Sequence, residues 1–365
     1  MEEEKNTEGA LPTYCVTGAN GYIGSWLVKL LLQRGYMVHA TLRDLASNWG
    51  GEMAPKFSAK SLDLLSSGRG ADRLRLFKAD LREEGSFDEA VRGCDGVFHV
   101  AASMEFHVAG DEDNENYVQR NIIDPAIEGT LNLLTSCSQS NTVKRVVFTS
   151  SISTLTAKDT AGKWRQVVDE TCQTPIDHVW NTKPPGWIYV LSKRLTEEAA
   201  FKYAKDNGID LISVITTTVA GAFLTSSVPS SIQVLLSPIT GDTKFFSILS
   251  AVNARMGSIA LVHIDDLCDA HIFLMEQTRA EGRYICCAHS CVLSQLINHL
   301  VEEYPCSNVQ RLAEEKQGSI SPEISSKKLR DMGFKYKHSI KDMISETITC
   351  CLDQGFLPHV KSKCH

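Results

Sequence analysis

Thr13-Tyr-Cys-Val-Thr-Gly-Ala-Asn-Gly-Tyr-Ile-Gly24 is the stretch that decides the fold. Its apolar start predicts a short buried strand over Thr13–Thr17, and helical apolar spacing predicts a helix over Tyr22–Gln33. A second strand is predicted over Met37–Leu42, which completes a β-α-β unit of the usual length, roughly 30 residues. Such a unit joins parallel strands through a helix, so the glycines lie in the first strand-to-helix turn of a parallel sheet.

The alternation of strands and helices continues along the chain. Further strands are predicted over Leu74–Lys78, Gly96–Val100, Arg145–Thr149 and Leu211–Ile215, and further helices over Ile122–Ser138, Tyr189–Asn207, Asp265–Glu276 and Ile340–Leu352. This pattern predicts an α/β fold, a Rossmann doubly wound parallel sheet with a smaller mixed α/β C-terminal substrate lobe. We expect a flexible tail over 1–12, a nucleotide-binding domain over 13–224 with its sheet rejoined by 259–276, and a substrate-binding lobe over 225–365.

Composition narrows the classes of partner. The chain has 365 residues and a net charge of −7, which argues against a nucleic-acid or anionic-membrane surface. The acidic start lacks the features of a secretory signal, and no apolar run approaches the roughly 20 residues of a membrane span, so we expect a cytoplasmic protein. The 12 cysteines follow no paired zinc pattern, and reduced thiols without a metal are expected. The oligomeric state stays open.

The glycine turn predicts a dinucleotide site. Gly18, Gly21 and Gly24 allow a tight turn and a close approach of the backbone to a pyrophosphate, which the helix N-terminus then faces. The spacing is GxxGxxG rather than GxGxxG. The alternative is that these glycines serve only the turn and the packing of the helix.

Two positions further along indicate which dinucleotide binds. Arg43 ends the second strand, where it can pair with a 2′-phosphate, so NADPH is favoured. The adjacent Asp44 leaves the NAD alternative open, and Arg43 as a solvated strand end is the other. Asp80, followed by Leu81, can accept from the adenine amino group or can cap the next helix.

Three residues predict the chemistry. Tyr189 and Lys193 share a helix face, where an ammonium can lower the pKa of a phenol toward working pH. Ser151 ends a predicted core strand at the carboxyl edge of the sheet and can orient a carbonyl oxygen. The alternatives are an exposed Tyr/Lys pair and a serine that caps a loop, a role that one of Ser150 and Ser151 is expected to have.

Several segments together carry a resemblance to a known family. They are Val16-Thr-Gly-Ala-Asn-Gly-Tyr-Ile-Gly24, Thr41-Leu-Arg-Asp44, Lys78-Ala-Asp-Leu81, Val97-Phe-His-Val-Ala101, Phe148-Thr-Ser-Ser151, Tyr189-Val-Leu-Ser-Lys193, Val262-His-Ile-Asp-Asp-Leu267 and Gly282-Arg-Tyr-Ile-Cys-Cys287. The chain resembles the plant dihydroflavonol 4-reductase and anthocyanidin reductase family of extended short-chain dehydrogenases/reductases from about Tyr14 to Leu357. The resemblance implies an NADPH-dependent oxidoreductase acting on a small flavonoid-like molecule, with Ser151, Tyr189 and Lys193 as its catalytic residues.

The implied cofactor and substrate residues follow from the matching segments. The cofactor set is Gly18, Asn20, Gly21, Tyr22, Ile23, Gly24, Arg43, Asp80, Leu81, Val100, Ala101, Ala102, Tyr189 and Lys193, and the substrate set is Ser103, Thr156, Val228 and Phe245. The chain departs from relatives at Ala102-Ser103, at Thr216 in place of proline, and in an acidic segment over 108–120. These departures lie near the substrate or the nicotinamide.

The branch of the family is predicted from three further comparisons. Gly186-Trp-Ile-Tyr189 differs from the pattern of cinnamoyl-CoA reductases, and Thr156 stands where dihydroflavonol reductases usually have Asn. Pro229-Ser-Ser-Ile232 and Arg283-Tyr-Ile-Cys-Cys287 resemble anthocyanidin reductases, which convert anthocyanidins to flavan-3-ols. The alternatives are a reductase of dihydroflavonols or of another aromatic or alicyclic ketone, and an NADPH-sensing protein without turnover.

Overall fold

The main sheet of the computed structural model is parallel throughout. The structure describes residues 11–44, 71–102, 115–159, 161–305, 309 and 321–358, so most of the predicted tail lies outside the described residues. The strands of the main sheet are β1 (Thr13–Val16), β2 (Met37–Leu42), β3 (Leu74–Lys78), β4 (Gly96–His99), β5 (Arg145–Ser151), β7 (Leu211–Thr216) and β10 (Gly282–Cys286). They lie in the order β10-β7-β5-β4-β1-β2-β3, with every pairing parallel. This order confirms the predicted doubly wound α/β class.

Two small sheets accompany the main one. Strand β9 (Ile259–His263) pairs with β8 (Thr218–Ala220) and with β11 (His289–Cys291). Strand β12 (Glu323–Ile324) pairs with β6 (Val167–Val168).

The helices cover both faces of the main sheet, and others pack beside the three-stranded sheet. They span Tyr22–Gln33, Asp88–Val91, Glu115–Val118, Asp124–Ser140, Ile176–Thr182, Trp187–Asp206, Ser230–Thr240, Thr243–Met256, Ile264–Glu276, Leu293–Glu303, Lys327–Asp331 and Ile340–Asp353, with a π-helix over Gln119–Ile123 and short 3₁₀ turns over Ala71–Arg73 and Ile152–Thr154. Leu27 and Leu31 of the first helix pack with Leu267 in one core, whereas Leu133 and Leu134 are buried in another. Helices of the first and second core therefore cover different faces of the main sheet, as in a doubly wound fold.

The expectation for 259–276 was wrong in one respect. The segment does not rejoin the main sheet through a strand, because β9 belongs to the three-stranded sheet. The strand that joins the main sheet is β10, which lies beside β7. Both β9 and the end of β10 are buried, and burial alone does not say which strand a buried strand pairs with. The division into 13–224 and 225–365 stays a prediction.

Two further features concern cysteines and membranes. Within the described part of the chain, every cysteine is a free thiol, and most of these thiols are buried. Among the same residues no helix combines the length and the apolar character that crossing a bilayer requires.

Candidate active site

The turn that contains Gly18, Gly21 and Gly24 lets the protein backbone approach a ligand closely because these residues have no side chains. Gly18 has a φ of +65°, and the amide of Gly21 donates to its carbonyl oxygen at 2.9 Å. A Cβ on Gly24 would lie 2.3 Å from that same oxygen, so the helix can start this close to the turn only with glycine there. The tight turn and the exposed start of the Tyr22–Gln33 helix fit a pyrophosphate.

A buried polar network holds this turn against the end of β4. Thr17 Oγ1 accepts the amides of Val100 and Ala101, each at 3.0 Å, so its own hydrogen is left to donate to His99 Nδ1 at 3.0 Å. His99 Nε2 then donates to Thr130 Oγ1 at 3.2 Å. Burial and the Lys193 charge lower the pKa of His99 to about 3, so the ring is neutral at physiological pH.

The predicted adenosine end lies at the edges of β2 and β3. Arg43 follows β2 and is exposed, and its charge contributes to lowering the pKa of Asp80, although Arg82 is the larger cause. Arg82 Nη2 lies 3.0 Å from Asp80 Oδ2, and its amide donates to Oδ1 at 3.0 Å. Arg82 is a second cation at this edge, which the sequence analysis missed. Its ion pair with Asp80 competes with a hydrogen bond from the adenine amino group to the same carboxylate.

The remaining predicted cofactor residues cluster around the same turn. Asn20, Gly21 and Tyr22 line a cavity, whereas Ile23 packs toward the core behind the turn. The Leu81 carbonyl accepts from Asn132 Nδ2 at 2.9 Å, and Gly129 packs closely against Leu81. Val100, Ala101 and Ala102 follow β4, and the Cα of Ala101 would lie 3.0 Å from a Cβ on Gly18.

The structure brings the three predicted catalytic residues together. Ser151 ends β5 and lines the cavity with Tyr189 of the Trp187–Asp206 helix, and their hydroxyls are hydrogen-bonded. Lys193 lies one turn further along that helix, and its Nζ is 6.0 Å from the Tyr189 ring centroid. Ser150 is not among the lining residues, and its hydroxyl has no partner among the described residues.

The electrostatics around Tyr189 differ from the expectation. Burial raises the pKa of Tyr189, and the groups that oppose this rise are the Ser151 hydroxyl and the Arg255 guanidinium rather than Lys193. Burial also lowers the pKa of Lys193 to about 8, against the opposing charge of Glu197. Glu197 is itself held by Arg283 Nη2 at 2.9 Å.

The cavity next to Tyr189 has the size and lining of a small-molecule site. Its volume is about 570 Å³, within the range of ligand pockets. An apolar wall is supplied by the loop 225–229, by the Ser230–Thr240 helix and by the Thr243–Met256 helix, and it includes Val228, Phe245 and Val252. An apolar wall facing a few polar groups suits a flat aromatic molecule.

The predicted substrate residues divide into three groups. Val228 and Phe245 line the cavity. Thr156 is not among its lining residues: it is buried, its amide donates to the Cys172 carbonyl, and its Oγ1 accepts from Lys158 N at 3.3 Å, so the structure corrects its assignment to the aromatic pocket. Ser103 and the part of the acidic segment over 108–114 lie outside the described residues. Sequence reasoning missed Arg255, which no motif marks.

One cluster of potential metal ligands lies away from this cavity. His263 Nε2 is 3.0 Å from Glu346 Oε2, and the rings of His263 and His338 are stacked with centroids 3.7 Å apart and planes at 20°. A metal lies close to the plane of each imidazole that ligates it, so two nearly parallel stacked rings cannot direct their lone pairs at one ion. The cluster fits hydrogen bonding rather than metal coordination.

Comparison with known proteins agrees with this geometry. The model of the NAD dependent epimerase/dehydratase family matches residues 14–287. A putative anthocyanidin reductase of Ginkgo biloba is 44% identical over 96% of this chain and 97% of its own, and a dihydroflavonol 4-reductase of Arabidopsis thaliana is 43% identical over 95% and 84%. The solved structure of vestitone reductase from alfalfa has a TM-score of 0.73 and 32% identity, covering 94% of this chain and 99% of its own.

The family match and the catalytic geometry therefore lead to one conclusion. The chain belongs to the NAD dependent epimerase/dehydratase family, and within it to the extended short-chain dehydrogenase/reductase type that contains the plant flavonoid reductases, so it is an oxidoreductase.

Proposed function

We propose that the chain is an NADPH-dependent, anthocyanidin reductase-like enzyme that reduces a flavonoid to a flavan-3-ol. The observation that carries this proposal is one cavity that contains the glycine turn, the Ser151 and Tyr189 hydroxyls, and an apolar wall. A reductase needs these three parts at once: a place for the cofactor, a proton donor, and a surface for an aromatic substrate.

The described residues fit a dinucleotide. Gly18 and Gly24 leave the turn open, the N-terminus of the Tyr22–Gln33 helix would face the pyrophosphate, and Arg43 would offer its guanidinium to a 2′-phosphate. The cofactor is NADPH, which when bound supplies the hydride. Lys193, one helical turn beyond Tyr189, would hold the nicotinamide ribose.

Ser151 and Tyr189 act on the oxygen of the substrate. Their hydroxyls are already hydrogen-bonded to one another, so one oxygen can receive both hydrogen bonds as negative charge develops on it. Tyr189 donates the proton to a ketone, or manages a proton when the electrophile is a flavonoid ring carbon. The positive charge of Arg255 stabilises the phenolate that remains.

Overall sequence identity does not decide between the flavonoid classes. The Ginkgo protein named as a putative anthocyanidin reductase is 44% identical to this chain, and the Arabidopsis dihydroflavonol 4-reductase is 43% identical, so identity does not separate the two activities. A dihydroflavonol 4-reductase-like activity, or reduction of another aromatic or alicyclic ketone, is therefore the second candidate. The position of Thr156 outside the cavity removes one of the arguments that separated the two from sequence.

Turnover by purified protein tests the proposal. NADPH absorbance is followed with cyanidin, dihydroquercetin and an isoflavanone, with NADH as the parallel coenzyme. We expect NADPH-dependent consumption of cyanidin, reduced by about 10²–10⁴-fold in Tyr189→Phe because general acid catalysis is lost. Activity on dihydroquercetin or the isoflavanone alone would assign the carbonyl-reducing branch, and binding of NADPH without turnover of any would contradict the enzyme proposal for these substrates.

A further inference from the structure

The cavity contains a cation that the sequence analysis did not anticipate. Arg255 lies in the last turn of the Thr243–Met256 helix and lines the same cavity as Tyr189 and Ser151. The C-terminal end of a helix carries partial negative charge, so it stabilises a cation at this position. The same helix supplies Phe245 and Val252 to the apolar wall, so Arg255 lies on an element that forms that wall.

The guanidinium has donors to spare. Its Nε is buried and has no hydrogen-bond partner among the described residues. No Asp or Glu is found among the described residues that line the cavity, where the other cation is the exposed Lys244. Guanidinium has five N–H donors and no acceptor, so a single phenol such as Tyr189 can satisfy only part of it.

Holding such a cation in an apolar pocket is unfavourable. Burial lowers the pKa of Arg255 to about 10, with only the nearby Tyr189 opposing. Buried charges in proteins are normally paired, and a cation kept without a carboxylate has its partner supplied by a ligand in many binding sites. The planar fork of arginine matches an oxygen anion in geometry as well as in charge.

We propose that Arg255 is a substrate-binding residue that receives an ionised phenolic or enolic oxygen of the aromatic substrate, next to the Tyr189 hydroxyl. This inference rests on the proposed function and narrows it to substrates that carry an acidic hydroxyl on the ring system entering the cavity. It also sets the charge state of the bound molecule. An anionic form is attracted, a neutral form can accept a hydrogen bond, and a flavylium cation is repelled by Arg255.

Equilibrium dialysis with two probes of the same shape tests the site without turnover. The full chain, with NADP⁺ present, is offered 4-nitrophenol, whose hydroxyl ionises near neutral pH, and 4-nitroanisole, which cannot ionise. We expect the preference for 4-nitrophenol over 4-nitroanisole to rise by roughly 10- to 100-fold between pH 5.5 and 8.5, the size of a charge-assisted hydrogen bond. Absence of that rise in the wild-type chain overturns the proposal, whatever the variants do.

Variants then assign the preference to one residue. Arg255→Met keeps an apolar stem and is expected to abolish the rise, while Arg255→Lys keeps the charge and retains part of it. Lys244→Met is the matched control, a second cation of the same cavity that is exposed, and it should change the preference by no more than roughly threefold. Equal loss of both probes in Arg255→Met would show a packing role and refute the site.

The outcome is separable from that of the proposed function. A chain that turns over no flavonoid but shows the rise and loses it in Arg255→Met refutes the proposed function and keeps the anion site. A chain that reduces cyanidin but shows no pH-dependent rise in the preference for 4-nitrophenol supports the proposed function and refutes the anion site. If Arg255→Met does not fold, as judged by its thermal transition, Arg255→Lys decides, since loss of the whole rise while charge and fold remain contradicts a role for the cation.

Discussion

Replacement of Lys193 by methionine is expected to stabilise the protein while it removes the activity. The side chain is 9% exposed, and burial lowers its pKa from the ordinary value of 10.5 to about 8. At about 1.4 kcal/mol for each pKa unit, this difference lowers the free energy of unfolding at pH 7 by about 3 kcal/mol. Methionine has a similar length and no charge, so Lys193→Met recovers most of that free energy.

The sign of the pH dependence follows from the depressed pKa. Below pH 8 the ammonium is charged in the folded and the unfolded chain alike, so the full cost is present. Between pH 8 and 10.5 the unfolded chain binds more protons than the folded one, and wild-type stability gains from this group as pH rises. The advantage of Lys193→Met should therefore shrink from about 3 kcal/mol at pH 7 to about 1.5 kcal/mol at pH 9.5.

Urea unfolding of the two proteins under reducing conditions measures this difference. Other groups titrate in the same range, notably cysteines and tyrosines, but they are common to both proteins and cancel in the comparison. Lys205→Met, at an exposed position in the last turn of the same helix, is the control and should change stability by less than about 0.5 kcal/mol at either pH. A variant that is less stable than wild type at pH 7, or whose advantage does not depend on pH, would refute the argument from burial.

Two further predictions concern the cofactor. Gly24→Ala places a Cβ 2.3 Å from the Gly18 carbonyl oxygen and so displaces the turn, which should weaken NADPH binding at least about tenfold in a fluorescence titration and cost about 1–3 kcal/mol of stability. Gly208→Ala, at φ +67° with open space around it, should cost about 1 kcal/mol and leave NADPH affinity intact; equal affinities for both variants would mean that the turn does not hold the cofactor. Arg43→Ala should raise the KM for NADPH by roughly 10- to 100-fold through loss of a charge-assisted contact, with the KM for NADH unchanged in the same coenzyme assay. A parallel loss with both coenzymes would contradict a 2′-phosphate contact.

Much of the fold could be predicted because its signals are local. The bounds of β2, β3 and the Tyr22–Gln33 helix agree with the prediction, because the apolar residues that define each element lie within a few positions of one another. Pairing is a different matter. Strand β9 is wholly buried and was expected in the main sheet, yet it pairs with β8 and β11, because a run of apolar residues records burial and not the identity of the neighbouring strand.

The candidate site shows the same division. Ser151, Tyr189 and the glycine turn could be placed together because parallel strands end at one edge of the sheet and the helix that follows faces it. Arg255 could not be placed there, because it comes from a helix of the lobe and its approach to Tyr189 depends on how that helix packs. Thr156 was misplaced for the opposite reason: it is close to Ser151 along the chain, but it is buried, its amide donates to the Cys172 carbonyl, and it does not line the cavity.

The charges around Tyr189 connect stability with chemistry. Lys193 and Arg255 are both held near this phenol with depressed pKa values, an arrangement that is unfavourable in the protein alone. It becomes more favourable when negative charge is present on an oxygen near Arg255, as on a substrate oxygen during reduction or on an ionised substrate hydroxyl. Interactions that gain strength only as that charge develops lower the barrier rather than merely tightening binding. A cavity that contains the Arg255 guanidinium and no carboxylate among its described lining residues is therefore better suited to an anionic transition state than to a cationic ground state.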